Sequence, residues 1–153
     1  MGGTLEGRED QPGELDILVW ALRDPNSAPL QKIQVIKGWI SAGQRHEKVV
    51  DVACAGSAPV NPDTGKCEGN GATVDLTDCS WSEASGAAEL RALWHDPDYS
   101  PGEDAFYYVR AIENPTCRWT TYDSLRLGQA PPETHPATVT EMAWSSPIWV
   151  QAR

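Results

Sequence analysis

"AFYYVRAIEN", residues 105–114, is the stretch that decides the fold, because it is the strongest strand signal in the chain. Four aromatic or β-branched residues stand in a row there, and such residues are enriched in strands. Residues 86–96, "GAAELRALWHD", contain helix-forming residues, yet Leu90, Ala92 and Trp94 alternate with Arg91 and His95. A Pro/Gly-rich turn, "DPDYSPGED", joins the two runs. We therefore expect an antiparallel hairpin whose first strand is residues 88–95.

Three more strands are predicted before this hairpin. Residues 14–24, "ELDILVWALRD", are apolar on both faces, which is typical of a central strand. The Asp-Pro and Asn-Ser steps of residues 24–29 end that strand. Residues 30–40 and 46–54 then follow as two strands, and the short polar segment between them predicts a second hairpin.

A short helix and a last strand are predicted after the hairpin. In "RWTTYDSLRLG", residues 118–128, we expect Thr120 or Thr121 as the N-cap, Asp123 in the first turn and Gly128 just past the end. The closing run "AWSSPIWV", residues 143–150, is strand-like. Its Pro147 lacks an N–H donor and predicts an edge strand or a bulge.

This pattern predicts a mainly β fold, an antiparallel β-sandwich that is Ig-like or jelly-roll-like, with one short helix. The length of 153 residues is that of one domain. We expect residues 1–14 to be a flexible lead-in, because they are rich in glycine and lack the features of a secretion signal, and residues 15–153 to form a single sandwich domain.

Four cysteines, Cys54, Cys67, Cys79 and Cys117, are candidates for disulfides. They allow three pairings, between which the sequence does not choose. Cys67 lies in a long loop, residues 55–71, that carries almost no large apolar side chain, and cross-links are most effective in such loops. Two disulfides are therefore predicted, and with them an oxidising, extracytoplasmic compartment, with free buried thiols as the alternative.

The net charge and the absence of known motifs in the sequence argue against several classes of function. The net charge of −10 argues against binding to nucleic acid or to an anionic membrane surface. The sequence contains no pattern typical of a metal site, a cofactor site or a nucleophilic triad, so no catalytic residue, metal ligand or cofactor is predicted. Seven tryptophans are many for this length. Those in apolar strands are expected to be buried, whereas Trp39, Trp81 and Trp119, near loops and element ends, are the candidates for ligand contacts.

Six stretches carry a resemblance to a known family. They are "DPNSAPLQKIQVIKGW", "EKVVDVAC", "VDLTDCS", "GAAELRALWHDPDYSP", "AFYYVRAIENPTCRWTTYDSLRLG" and "AWSSPIWV". In this order they resemble the C-terminal part of a bacterial domain-of-unknown-function family of large, usually exported proteins. That family is similar in outline to the PHP-type metallohydrolases, the polymerase-and-histidinol-phosphatase superfamily. The metal-binding histidines and acids of such enzymes lie in a preceding domain and have no matching position here.

The resemblance implies a non-catalytic accessory domain that packs on a catalytic domain in longer relatives, and a chain that is a truncated family member. A surface left uncovered by truncation would favour a homodimer. The expected interface lies on the helical segment, with Trp119, Tyr122, Leu125 and Leu127 at its centre and Arg118, Asp123 and Arg126 as its polar rim; alternatively, these residues cap their own sandwich. A carbohydrate- or small-molecule-binding module is the second interpretation, and a stand-alone carboxylate-based hydrolase is the third.

Overall fold

The computed structural model describes residues 2–6, 15–56 and 59–152. Within these ranges the elements follow one another along the chain as ten strands and one helix: β1 (Gly3–Glu6), β2 (Asp16–Leu22), β3 (Leu30–Ser41), β4 (Gln44–Cys54), β5 (Glu89–His95), β6 (Ala105–Glu113), β7 (Thr116–Cys117), α1 (Trp119–Arg126), β8 (Thr138–Val139), β9 (Met142–Trp144) and β10 (Ile148–Gln151).

The largest sheet, here called the main sheet, is organised around β6, the strand predicted from residues 105–114. Its strand order is β1-β10-β6-β3-β4, and β9 also pairs with β6. One side of β6 is occupied by β3, whereas β10 and β9 share the other side. All these pairs are antiparallel except β1 with β10, which is parallel.

The predicted hairpin between β3 and β4 is confirmed. Ser41 pairs with Gln44, so Ala42 and Gly43 form a two-residue turn. Both turn residues have positive φ, 50° and 74° respectively. Two-residue hairpin turns with positive φ at both positions match the right-handed twist of the flanking strands.

The predicted hairpin between β5 and β6 is wrong. β5 pairs instead with β2 along its whole length, from Asp16 opposite His95 to Leu22 opposite Glu89, and the two strands form a separate sheet, here called the ribbon. Residues 96–104 therefore cross from the ribbon to the main sheet. The prediction that residues 14–24 form a central strand is wrong for the same reason, because β2 has β5 as its one strand partner among the described residues.

The ribbon packs across the main sheet and encloses the core. β2 and β5 contribute Ile17, Val19 and Leu90, all buried. The core residues supplied by the main sheet are Leu30, Ile33, Val35, Ala53, Ala105, Tyr107 and Val150. This two-layer arrangement confirms the predicted mainly β, sandwich-like fold. Burying each large apolar side chain contributes about 1.5–3 kcal/mol to folding, before the cost in chain entropy.

A buried ion pair joins the two layers where the chain crosses between them. Lys37 Nζ donates a hydrogen bond to Asp96 Oδ2 over 2.7 Å, and both side chains are buried. The hydroxyl of Tyr107 donates to the same carboxylate oxygen over 2.7 Å. Burial, followed by the contact with Asp96, raises the pKa of the Tyr107 phenol far above its ordinary range, so this group stays a neutral donor.

Both ends of the chain differ from the sequence predictions. Gly3–Glu6 form a strand, whereas residues 1–14 were predicted to be a flexible lead-in; residues 7–14 of that lead-in lie outside the described residues. The closing run is divided into β9 and β10, with Pro147 between them. β10 is not an edge strand, because it pairs with β6 on one side and β1 on the other. Proline accounts for the division, since it cannot donate to a ladder.

Two disulfides are present, as predicted, and the structure decides their pairing. Cys54 is bonded to Cys67 and Cys79 to Cys117. The first closes the polar loop onto the end of β4. The second ties the irregular segment before β5 to the strand that precedes α1. Two disulfides fit an oxidising, extracytoplasmic environment.

The first disulfide lies beside a buried carboxylate. Asp51 accepts hydrogen bonds from Cys67 N–H over 2.8 Å, Gln34 Nε2 over 2.6 Å and Lys32 Nζ over 3.0 Å. Burial alone would raise the pKa of Asp51, but these three hydrogen bonds and the charge of Lys32 together lower it below its ordinary value.

The helix begins earlier than predicted. Arg118 is the N-cap rather than Thr120 or Thr121, and the first turn contains no acidic residue. Thr121 is buried and its hydroxyl donates to Ala137 O over 2.7 Å, which places this threonine inside the helix against the following segment. None of the described helices has the length and apolar composition of a membrane span.

We predict that Asp96→Asn lowers the free energy of unfolding by about 3–5 kcal/mol, because it leaves the Lys37 ammonium buried without a counter-charge. Urea unfolding measures this loss. Lys48→Met is the matched control, because it removes the exposed ion pair between Lys48 and Asp98, which is worth at most about 1 kcal/mol. Equal losses in the two variants would contradict a special role for the buried pair.

We predict an acid-dependent loss of stability that depends on Asp51. The pKa of Asp51 in the folded protein lies below its ordinary value of 3.8, so this residue stabilises the fold above that pH. The contribution is lost as the pH falls from about 3.8 through the lower folded pKa. In unfolding measured against pH, Asp51→Asn should be less stable than the native chain at neutral pH, and the difference should shrink in this acidic window. A constant difference across the window would refute the assignment.

Candidate functional site

The outer face of the ribbon exposes a group of large apolar side chains. The alternation of β2 that sends Ile17 and Val19 into the core sends the side chains between them away from it. On this outer face Leu18 is 74% exposed, Trp20 65%, Leu22 68% and, on β5, Leu93 68%. These four residues are here called the ribbon face. Exposed groups of large apolar side chains are typical of interaction surfaces, because soluble domains rarely expose large contiguous apolar patches.

Polar and charged side chains share the outer face of the ribbon with these apolar residues. At one end His95 Nδ1 lies 3.0 Å from Asp16 Oδ1. On β5, Arg91 lies opposite Trp20 and Glu89 opposite Leu22, and Arg91 Nε is 3.9 Å from Glu89 Oε1. Protein–protein interfaces commonly combine aromatic and apolar residues with arginine.

The main sheet also presents aromatic side chains on its outer face, away from the ribbon. Trp149 pairs in register with Phe106, and their ring centroids are 5.3 Å apart. Tyr108 is the next outward residue on β6, and its ring plane lies within 10° of that of Phe106. Trp144 on β9 pairs in register with Arg110, the next outward residue on β6 after Tyr108. Phe106, Tyr108, Trp144 and Trp149 are here called the aromatic strip.

A cleft of about 550 Å³ lies at one end of the aromatic strip. It is lined by Gly38, Trp39, Ile40, Arg45, His46, Glu47, Asp104, Ala105, Phe106, Trp149, Val150 and Gln151. The volume is within the range of about 300–1,000 Å³ that ligand pockets occupy. The wall is largely apolar, with a few charged and polar groups at its rim, which is the composition expected of a small-molecule site.

The two candidate tryptophans Trp39 and Trp81 are half-buried and already engaged. The Trp39 ring stacks on His46 with centroids 5.2 Å apart, and the Lys37 ammonium lies 5.1 Å from its centre. Trp81 Nε1 donates to Glu83 over 3.0 Å. Trp39 lines the cleft beside the aromatic strip, and the ligand role of both tryptophans stays a prediction.

The predicted interface on α1 is exposed at its two ends. Trp119 and Leu127 are each 69% exposed, whereas Tyr122 and Leu125 are half-buried. In the polar rim, Arg126 Nη1 lies 3.5 Å from Asp123 Oδ1. The buried Nε of Arg118 has no hydrogen-bond partner among the described residues. Exposure keeps Trp119 available as an interface residue, and its role stays a prediction.

Sequence reasoning missed the tryptophans that the structure exposes most on the strands. Trp20, Trp144 and Trp149 were expected to be buried because they lie in apolar strands, yet Trp144 is 59% and Trp149 50% exposed. The available signal was the apolar character of both faces of residues 14–24. That pattern fits a central strand, and it also fits a strand that has a second face available for a partner.

Acidic and metal-binding side chains form no comparable site in the described part of the chain. Asp96 and Asp51 are buried in ion pairs with Lys37 and Lys32. Within residues 2–6, 15–56 and 59–152, no group of three or more His, Cys, Asp or Glu side chains is arranged to hold a metal ion.

Comparison with known proteins gives a family and no function. A family model described as "Protein of unknown function (DUF3604)" matches residues 1–152. Neither the search of curated proteins nor the search of solved structures finds a match. Since the family match extends over nearly the whole chain, the protein belongs to the DUF3604 family of proteins of unknown function.

Proposed function

We propose that this chain is a non-catalytic interaction domain that docks on another protein domain through the ribbon face. The observation that supports the proposal is the exposure of Leu18, Trp20, Leu22 and Leu93 together on one layer of the sandwich. In longer relatives the partner is a metallohydrolase-like catalytic domain, on which this segment packs as an accessory domain.

The energetics of the ribbon face favour docking. Each of the four side chains, once fully buried, contributes about 1.5–3 kcal/mol of apolar transfer free energy. Trp20 lies between Leu18 and Leu22 on β2 and opposite Arg91 on β5, and tryptophan and arginine are the residues most enriched in interface hot spots.

The charge of the chain favours a different protein over a second copy. Self-association through the ribbon face would bring together two chains that each carry a net charge of −10. A partner with basic groups around an apolar patch would instead be attracted to this chain, because complementary charge steers association and suppresses wrong partners. The homodimer predicted on α1, around Trp119, is a separate proposal. Sedimentation or light scattering tests it by measuring whether the chain is a monomer or a dimer in solution.

We predict that Trp20→Asp abolishes docking without unfolding the domain. The probe is the metallohydrolase-like domain of a longer DUF3604 protein, expressed separately and titrated with this chain by calorimetry. Loss of a hot-spot tryptophan costs at least about 2 kcal/mol, which is about thirtyfold in Kd. Stability should change little, because the Trp20 side chain is largely exposed in the free domain.

Trp144→Asp is the matched control, because it changes an equally accessible tryptophan on the opposite layer. Binding that is lost equally in both variants, or the absence of any binding by the native chain, would overturn the docking proposal. A native chain that elutes as a dimer and becomes monomeric with Trp20→Asp would assign the ribbon face to a second copy instead.

We further propose that the chain works in the periplasm or outside the cell, on the strength of its disulfides. The protein purified from such a compartment, denatured without reductant, should contain no reactive thiol, and reduction should release four, one from each cysteine of the sequence. Ellman titration measures both values. Four thiols before reduction would contradict an oxidising compartment.

A further inference from the structure

The aromatic strip lies on the layer opposite the ribbon face and is independent of the proposed docking. Along β6, Phe106 and Arg110 are four residues apart, so the flanking tryptophans Trp149 and Trp144 are separated by about 13 Å along the strand direction. Tyr108 lies between these two rows. The strip is thus an extended row of rings, longer than one small ring compound.

Gly38 allows one of these rings to lie against the backbone of the sheet. Gly38 pairs with Phe106, and a Cβ placed on this glycine would stand 2.3 Å from Phe106 Cζ. No other residue would leave room for the ring in this position. The Phe106 ring therefore lies close to the backbone of β3 at Gly38. The larger Trp149 side chain beside it forms one wall of the cleft.

The rim of the cleft supplies polar groups that the fold does not use. Arg45 and Glu47 lie on the outer face of β4, opposite Ile40 and Gly38 respectively. Neither side chain makes a hydrogen bond or ion pair with any part of the chain that the structure describes. Asp104 also lines the cleft and accepts the N–H of Ala152 over 2.9 Å. Donors and acceptors are thus both available beside the rings.

We propose that the aromatic strip and its cleft bind a neutral glycan. Sugar rings have an apolar C–H face that packs on Trp149 and Trp144, and hydroxyl groups that can both donate to Glu47 and accept from Arg45. An elongated row of rings suits a chain of sugar units better than a single small molecule.

The charge of the site selects among ligands with flat faces. Nucleic acid bases also stack on aromatic rings, but their phosphates would meet a chain of net charge −10 and the carboxylates of Glu47 and Asp104. Acidic polysaccharides meet the same repulsion. A neutral glycan meets none, because it carries no charge for Glu47 and Asp104 to repel.

The test uses soluble neutral glycans with the native chain: a mixed-linkage β-glucan, xylan, galactomannan, starch and chitin oligosaccharides. Affinity gel electrophoresis screens the panel, and calorimetry measures the Kd. We expect at least one probe to bind with a Kd tighter than about 1 mM, and Trp149→Ala or Trp144→Ala to weaken it about tenfold or more. Arg45→Ala, at an exposed position, should weaken binding without affecting the fold.

Trp20→Ala is the matched control, because it removes a similarly exposed tryptophan from the ribbon face. Its binding to the glycan should equal that of the native chain, whereas its docking on a protein partner should fail, so the two proposals fail separately. The glycan assignment is overturned if no probe binds within about 1 mM, if Trp149→Ala binds as the native chain does, or if the strip proves to bind a protein domain instead.

Discussion

The ion pair between Lys37 and Asp96 is the contact on which the rest of the structure depends. Lys37 belongs to β3 in the centre of the main sheet, and Asp96 follows β5 directly, where the chain leaves the ribbon. Two opposite charges in an interior of low dielectric are costly to separate, and the Tyr107 hydroxyl satisfies the carboxylate further. The backbone N–H of Asp96 also donates to Leu15 O, just before β2 begins. The pair thus fixes both ribbon strands against the main sheet.

Fixing the ribbon in this way produces an unusual distribution of apolar surface. The core between the layers uses one face of each sheet, and both outer faces remain rich in apolar or aromatic side chains. On the ribbon these are mostly aliphatic residues with one tryptophan, and on the main sheet they are rings beside a polar cleft. Aliphatic patches suit the irregular surface of another protein, whereas aligned rings with free donors and acceptors suit a hydroxyl-rich ligand. Since the two faces lie on opposite layers, occupancy of one leaves the other open.

The disulfides have a supporting role in this arrangement. The described parts of segments 55–86 and 114–137 contribute no side chain to the main core cluster. Cys54–Cys67 ties the first segment to the end of β4, and Cys79–Cys117 ties it to the second segment at β7. Gly86 and Asn114 bring the same segments together closely: a Cβ on Gly86 would stand 2.5 Å from Pro29 Cβ and 2.7 Å from Asn114 Nδ2. Covalent links and one close backbone approach thus replace the hydrophobic packing that these loops lack.

Apart from β1, β7 and β8, the sequence by itself indicated the strands, the β3–β4 hairpin, the presence of a short helix and the oxidised state of the cysteines. These features follow from local propensity, turn chemistry and cysteine spacing, which act over a few residues. The tertiary structure alone decided that β5 pairs with β2 rather than β6, which cysteines are joined, and which tryptophans are exposed. Strand partners and cysteine pairs are chosen by contacts between distant segments, such as the pairing of β2 with β5 and the burial of Asp96 against Lys37. Once β2 has gained one strand partner and one core face, its remaining apolar residues have nothing in the described chain to cover them.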